Sequence, residues 1–302
     1  MINQKNNSAM KKYDCIAAFG CSFVHGDAIF GGIDERHTNK QTKFVGDKYR
    51  FSKILADHYG IPEVNMAGSG MSNEAIFRRV HRFFKMYNQY QNPLVIIGIS
   101  GLSRNEVFST WQDRFFDIHQ SDIHYHSDKN QKAVEDMAIK FTGDIKNTER
   151  LKDYVQFKMK YFFDDEMERE KLDWQLTFLI GFLNSKKIPY VLFNSIEDRL
   201  SDEIKQSSNY LSFGQPSVKD SYTKHDNYLW SRDGYAPYSN TDCWYTDMYD
   251  RHTKKYGDWE KAGSRSMFEP YGEFACGGHP SPNTHKTMAN KILKYIKMEY
   301  KN

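Results

Sequence analysis

Residues 15–27 of the chain read CIAAFGCSFVHGD. The apolar run at 15–19 is typical of a buried strand, and the turn behind it holds Ser22 between two glycines. A serine directly after such a strand stands where a nucleophile would, although turn and helix-cap serines are the commoner case. His279, near the other end of the chain, opens an amphipathic helical pattern and could serve Ser22 as a base.

The length and the charge of the chain limit the kinds of protein it can be. With 302 residues, of which 39% are hydrophobic, it can bury one large core, and we predict a single domain over residues 1–302. Its 42 Lys and Arg nearly balance 39 Asp and Glu, and long basic runs are missing from the sequence. The sequence therefore predicts no nucleic-acid partner.

Cysteine spacing and hydropathy indicate the cellular setting. Cys15, Cys21, Cys243 and Cys276 form no C-x-x-C pair, which argues against a disulfide framework and against a structural zinc site. Residues 1–12 are polar, and no stretch approaches the ~20 apolar residues of a transmembrane helix. We therefore expect a soluble cytoplasmic protein without a membrane span, and the lysine- and asparagine-rich chain fits a microbial or viral source.

Apolar strand-like runs alternate with helical patterns along the chain, which predicts an α/β fold with a largely parallel sheet. The predicted strands are 15–19, 63–66, 94–99 and 189–194. The predicted helices are 49–59, 71–90, 148–187 and 283–300. Two long irregular intervals, 103–147 and 195–270, are predicted to be insertions that form a lid or a cap.

In a parallel sheet of this kind, the loops that follow the strands meet at one edge. Ser22 follows the first predicted strand, residues 65–73 follow the second, residues 98–104 follow the third, and His279 precedes the last helix. We expect these segments to share one site.

Short motifs in these loops resemble the SGNH (GDSL-type) hydrolases, which are serine esterases and lipases on a flavodoxin-like three-layer α/β/α sheet. Gly20-Cys21-Ser22-Phe23 resembles the first block of the family, Asn65 with Gly70 the second, and His279-Pro280-Ser281 followed by His285 the fifth. The resemblance implies that Ser22 is the nucleophile and His279 the base. It also implies that the N–H groups of Ser22 and Gly70 bind the oxyanion.

Two positions depart from the family pattern. Ser100 stands where the third block has its oxyanion-hole asparagine, and a hydroxyl can still donate there from a shorter reach. Cys276 stands where the family has the aspartate that orients the histidine. A backbone carbonyl that orients His279, or a substitute acid from Glu269, Glu273 or an insertion, would fill that role.

Other polar residues near this edge have both a functional and a structural interpretation. Arg104 and Asn73 are candidate substrate-binding residues, and a surface ion pair is an equally good interpretation of Arg104 and its neighbour Glu106. His25 could line the pocket, but a loop histidine without a defined partner is usually solvated, and we do not predict it to be catalytic.

A group of histidines and a group of aromatic residues are two further candidates for a functional site. His119, His124 and His126 with Asp117 and Asp122 match no known helical metal-ligand spacing, so we predict no metal site. Aromatic residues are dense over Tyr222–Trp259, which suits either a sugar-stacking platform or the small core of a cap.

The expected function is that of a serine hydrolase that cleaves carboxylic esters through an acyl-enzyme on Ser22. The expected substrate is a small ester, with O-acetyl groups on a carbohydrate as the more speculative case, and the expected reaction requires no cofactor. The missing Asp and Asn keep two alternatives open, a non-catalytic binding or structural module on the same scaffold and an acyltransferase to a glycan. The sequence does not indicate an oligomeric state.

Overall fold

The computed structural model describes residues 12–27, 29, 47–102, 104–119, 131–196, 198, 200–213, 244, 247–248, 251, 254–255, 275–276 and 279–299. Along the chain these residues form β1 (Ile16–Phe19), α1 (Ser22–His25), α2 (Phe51–Tyr59), β2 (Glu63–Asn65), α3 (Asn73–Met86), β3 (Leu94–Ile99), β4 (Arg104–Ser109), β5 (Arg114–His119), α4 (Gln131–Thr142), a short 3-10 helix (Ile145–Asn147), α5 (Thr148–Tyr161), α6 (Asp165–Ser185), β6 (Tyr190–Asn194), α7 (Asp202–Ser207), β7 (Ala275–Cys276), β8 (His279–Pro280) and α8 (Pro282–Glu299).

Four parallel strands form the central sheet in the order β2-β1-β3-β6. Every residue of β1, β3 and β6 is buried, as expected for strands that helices cover on both faces. The register pairs Phe19 with Ile97 and Ile99 with Asn194, so the carboxyl ends of these strands lie at one edge. The predicted α/β class with a parallel sheet is confirmed.

Apolar side chains fill the space on each face of the sheet. On one face, α2 and α8 contribute buried side chains such as Phe51, Leu55, Met288 and Ile292. On the other face, α3 and α6 do the same with Ile76, Val80, Phe83, Leu176 and Leu183. The two cores hold the sheet edge that carries Ser22 between rigid elements.

Ser72 caps the N-terminus of α3, and removal of this cap should lower the stability of the protein measurably. Ser72 is fully buried, and its Oγ accepts a hydrogen bond from the N–H of Ala75, 3.3 Å away. We expect Ser72→Ala to lower the free energy of unfolding by about 1 kcal/mol, because this N–H loses its acceptor. Urea unfolding checks this value, with the exposed Ser185→Ala as a control that stays within about 0.5 kcal/mol of wild type. Equal midpoints for the two variants would contradict it.

The first predicted insertion, 103–147, contains strands and helices that were not predicted from its sequence. Strands β4 and β5 form an antiparallel hairpin, and Phe116 from this hairpin packs on Ala138, Phe141 and Leu151 in a small separate core. Asp117 Oδ1 accepts from the N–H of Ser72 at 2.7 Å, which fixes the hairpin to the start of α3. Most of the second predicted insertion, 195–270, lies outside the described residues.

The helical pattern predicted over 148–187 is two helices rather than one. The chain leaves α5 at Phe162, and Asp164 begins α6 by accepting a hydrogen bond from the N–H of Met167 at 3.0 Å. Because an aspartate at this position satisfies one of the free N–H groups of a new helix, the break is encoded locally.

Cys15 and Cys21 flank β1 and are both free and fully buried, as expected from their position in the sequence. Burial raises the pKa of the Cys15 thiol to about 12, and the charge of Asp14 acts in the same direction. Within the part of the chain that the structure describes, no helix combines the length and the apolar character needed to cross a membrane.

Candidate active site

Ser22 lies at the carboxyl edge of the sheet, as the first residue of α1. The turn that leads to it requires Gly20, because a Cβ there would lie 2.4 Å from Cγ2 of Val24 and 3.0 Å from the carbonyl oxygen of Gly98. Ser22 is only 4% exposed, and its hydroxyl forms no hydrogen bond with any residue that the structure describes. The Ser22 hydroxyl is therefore buried, and no described residue binds it.

His279 lies beside the residue that follows Ser22, although it is far away in sequence. Its imidazole is 5.5 Å from the ring of Phe23, measured between ring centroids, and Phe23 directly follows Ser22. His279 is half-buried and belongs to β8, whose neighbour α8 packs on the sheet. The structure thus brings the predicted nucleophile and the predicted base to one place.

The position that carries the family's aspartate faces His279 across a short hairpin. β7 and β8 are antiparallel, and Cys276 and His279 are direct partners in their register. The residue opposite the histidine is therefore a cysteine, which cannot supply a carboxylate. The substitute acids considered from the sequence, Glu269 and Glu273, lie outside the described residues.

Asn65 ties the loop after β2 to α1. Its Nδ2 donates to the carbonyl oxygen of Val24 at 3.1 Å, and its Oδ1 accepts from the N–H of Ala67 at 3.0 Å. The N–H of Gly68 donates to the carbonyl oxygen of Gly20 at 3.1 Å and draws the same loop onto the turn of Ser22. Gly70 follows with φ 71°, a left-handed turn that glycine adopts most easily. Its role as an oxyanion donor stays a prediction.

Ser100 is held from two sides, by the two residues that the sequence suggested as substrate ligands. Asn73 Oδ1 accepts from the N–H of Ser100 at 2.8 Å, and Asn73 Nδ2 donates to its carbonyl oxygen at 3.1 Å. The guanidinium of Arg104 donates to the Ser100 hydroxyl at 3.0 Å. Asn73 and Arg104 therefore position Ser100, and its hydroxyl proton is still available to an acceptor because a hydroxyl accepts and donates independently.

Glu106 forms its ion pair with Arg78 and not with Arg104. Glu106, whose side chain is only 6% exposed, receives a bidentate contact from Arg78 of α3. This charge-assisted pair raises the pKa of Arg78. It joins the β4–β5 hairpin to α3 at a second point, next to the hydrogen bond between Asp117 and Ser72.

A histidine–carboxylate pair beside Ser22 was missed from the sequence. His25 ends α1, and its Nδ1 lies 2.7 Å from Oδ1 of Asp27. The side chain of His25 is 30% exposed and that of Asp27 only 6%. The expectation of a solvated histidine without a partner is therefore wrong. The contact forms because the chain folds back at Gly26, which has φ 81° directly after the helix.

His285, the second histidine of the last motif, has a structural environment. It is fully buried in α8, its Nδ1 accepts from the N–H of Phe51 at 3.2 Å, and its ring stacks on that of Phe51. Burial lowers the pKa of His285 to about 3, with smaller contributions from the charges of Arg50 and His279. His285 therefore stays neutral at physiological pH and carries its proton on Nε2.

The aromatic interval and the histidine cluster are described only in small part. Trp244 is fully buried, and its ring contacts those of Phe23, Phe51 and Phe193, so this residue belongs to the core and not to a sugar-stacking surface. Residues 120–130, with three members of the histidine cluster, lie outside the described part. Among the described residues, no group of three or more His, Cys, Asp or Glu could hold a metal ion.

Comparison with known proteins gives no match to a family model, a curated protein or a solved structure.

Proposed function

We propose that this protein is a serine hydrolase that cleaves carboxylic esters, on an SGNH-type sheet of the flavodoxin-like kind. Ser22 is the nucleophile in this proposal and His279 the base. The observation that carries it is the 5.5 Å contact of the His279 ring with Phe23, next to a Ser22 hydroxyl that no described residue binds.

The proposed first half-reaction transfers the acyl group to Ser22. As Oγ forms a bond to the ester carbonyl carbon, its proton passes to the imidazole of His279. The ester C–O bond then breaks, and the same proton goes to the leaving alcohol. Water removes the acyl group in the second half-reaction, which returns the serine and releases a carboxylic acid. These steps need proton transfer and an oxyanion site, and they use no cofactor.

Stabilisation of the oxyanion is assigned to three donors. They are the backbone N–H groups of Ser22 and Gly70 and the hydroxyl of Ser100. The Ser100 hydroxyl is a reasonable substitute for the family's asparagine because Arg104 donates to its oxygen, which strengthens its own ability to donate. Asn73 supports it by fixing the Ser100 backbone.

The substrate class is proposed as a small carboxylic ester, including acetyl esters of carbohydrates. The enclosure of Ser22, 4% exposed, favours a short acyl group such as acetyl over a long chain. Turnover of acetylated sugars and of butyryl and longer esters of the same alcohol distinguishes these cases. A preference for the long chains would contradict the short-acyl proposal.

Labelling with a fluorophosphonate tests the nucleophile directly. We expect the wild-type protein and the control Ser185→Ala to form an adduct that mass spectrometry maps to Ser22, and we expect Ser22→Ala to form none. An adduct on another serine would contradict the assignment of the nucleophile. No adduct and no turnover in the folded wild-type protein would instead favour a binding or structural module.

A further inference from the structure

A second histidine lies close to the proposed nucleophile along the chain. His25 is on the same short helix as Ser22, three residues later. Residues with this spacing share one face of a helix, and helical side chains lean toward the helix N-terminus. The imidazole of His25 therefore belongs to the side of α1 on which Ser22 begins the turn.

The backbone holds Asp27 in a fixed relation to Ser22. The N–H groups of both Gly26 and Asp27 donate to the carbonyl oxygen of Ser22 at 3.0 Å. Gly26 allows this reversal with φ 81°, and a Cβ at this position would lie 2.6 Å from Cγ of Arg50. Ser22, His25 and Asp27 are thus parts of one closed turn rather than neighbours in a loose loop.

The hydrogen bond between His25 and Asp27 sets the tautomer of the imidazole. A carboxylate only accepts, so the Nδ1 of His25 is the donor in the 2.7 Å contact with Asp27 Oδ1. In the neutral ring this leaves the lone pair on Nε2, the atom that takes a proton from a nucleophile in serine hydrolases with a Ser-His-Asp triad. The same carboxylate stabilises the imidazolium that forms when the proton arrives.

His25 has access to water. Its side chain is 30% exposed, while the side chain of Asp27 that holds it is only 6% exposed. A base for water must reach both the solvent and the acyl group on Ser22. His25 meets this requirement from its position one helical turn after the serine.

We propose that His25, held by Asp27, is the general base that activates water for hydrolysis of the acyl-enzyme. Water forms a bond to the acyl carbonyl carbon, and its proton passes to Nε2 of His25. The bond between that carbon and Oγ of Ser22 then breaks, and Oγ takes the proton back from His25. His25 is a catalytic residue in this step and Asp27 a positioning residue. This inference rests on the proposed function of Ser22 as nucleophile.

Rapid mixing with an activated acetate ester separates the two half-reactions. For His25→Ala we expect a stoichiometric burst of released alcohol, as in wild type, followed by steady-state turnover that is about a hundred-fold slower. Acetylated Ser22 should accumulate in mass spectra of the quenched protein. Asp27→Asn should slow the same step by about ten-fold, and the double variant should be no slower than His25→Ala. The exposed His81→Ala serves as a control that behaves as wild type.

A structural role for His25 gives a different result in the same experiment. Added imidazole should speed the decay of acetylated Ser22 in His25→Ala and leave Ser22→Ala inactive, since a small base replaces a missing base but not a missing fold. Deacylation of His25→Ala within about threefold of wild type would overturn the proposal, and so would loss of the burst along with turnover. A wild-type protein that never acetylates Ser22 would instead overturn the proposed function itself.

Discussion

Ser22→Ala is expected to lower kcat for an activated acetate ester by roughly a thousand-fold or more. Without Oγ no acyl-enzyme forms, and the remaining rate comes only from substrate binding and the oxyanion donors. KM is expected to change little, because the substitution leaves the backbone N–H of Ser22 and the walls of the site in place. The effect therefore lies in kcat.

The fold should tolerate this change. The Ser22 hydroxyl makes no hydrogen bond within the described part of the chain, so its removal leaves no buried group without a partner. Steady-state kinetics and urea unfolding of Ser22→Ala, wild type and Ser185→Ala separate loss of chemistry from loss of structure. A Ser22→Ala protein that keeps a tenth or more of wild-type kcat would rule out a covalent mechanism at this residue.

Acidification is expected to destabilise the protein through His285. The pKa of His285 is about 3 in the folded state, against about 6.5 for an exposed histidine. Below pH 6.5 the unfolded chain binds a proton that the folded chain does not, so the free energy of unfolding falls by about 1.4 kcal/mol per pH unit. The contribution of neutral His285 is complete above pH 6.5 and is lost progressively between pH 6.5 and 3. At pH 5 the loss amounts to about 2 kcal/mol.

A variant without the titrating ring isolates this effect. In His285→Asn the amide oxygen can still accept from the N–H of Phe51, so the variant keeps that contact but loses the proton binding. Its stability at pH 7 should fall because the ring leaves a cavity. The further loss from pH 7 to pH 5 should be about 2 kcal/mol smaller than in wild type. Urea unfolding at both pH values gives this difference, and the exposed His81→Ala should follow wild type. Parallel losses in His285→Asn and wild type would refute the assignment.

The sheet could be predicted from the sequence because its strands are buried on both faces. Such strands are continuous apolar runs, and Leu94–Ile99 has the predicted bounds to the residue. The last helix, Pro282–Glu299, differs from its prediction by one residue at each end. The order of the loops along the sheet edge then placed Ser22 and His279 in one neighbourhood.

The hairpin β4–β5 could not be predicted because the buried positions of β4 are polar. Asn105 and Ser109 point inward, where Asn105 accepts from Lys158 at 3.1 Å and Ser109 donates to the carbonyl oxygen of Phe141 at 2.6 Å. Hydrogen bonds replace the alternation of apolar residues that identifies a half-buried strand. A pattern of hydrophobicity therefore gives no signal here.

The partner of His25 was missed for a different reason. The contact between His25 and Asp27 depends on the left-handed conformation of Gly26, which reverses the chain within one residue. A histidine, a glycine and an aspartate in this order occur in many loops, and only the backbone angles show that the two side chains meet. Likewise, the sequence gives no sign that Arg104 donates a hydrogen bond to the Ser100 hydroxyl.

The buried thiols of Cys15 and Cys21, on either side of β1, can be used to detect local opening of the fold. Alkylating reagents attack the thiolate, and a buried Cys15 with a raised pKa offers almost none of it in the native state. Modification of Cys15 in native buffer therefore requires that the chain open around the start of β1, and modification of Cys21 requires that it open at the start of α1. Mass mapping of these two residues over time would measure how often the segment that leads from β1 to Ser22 opens.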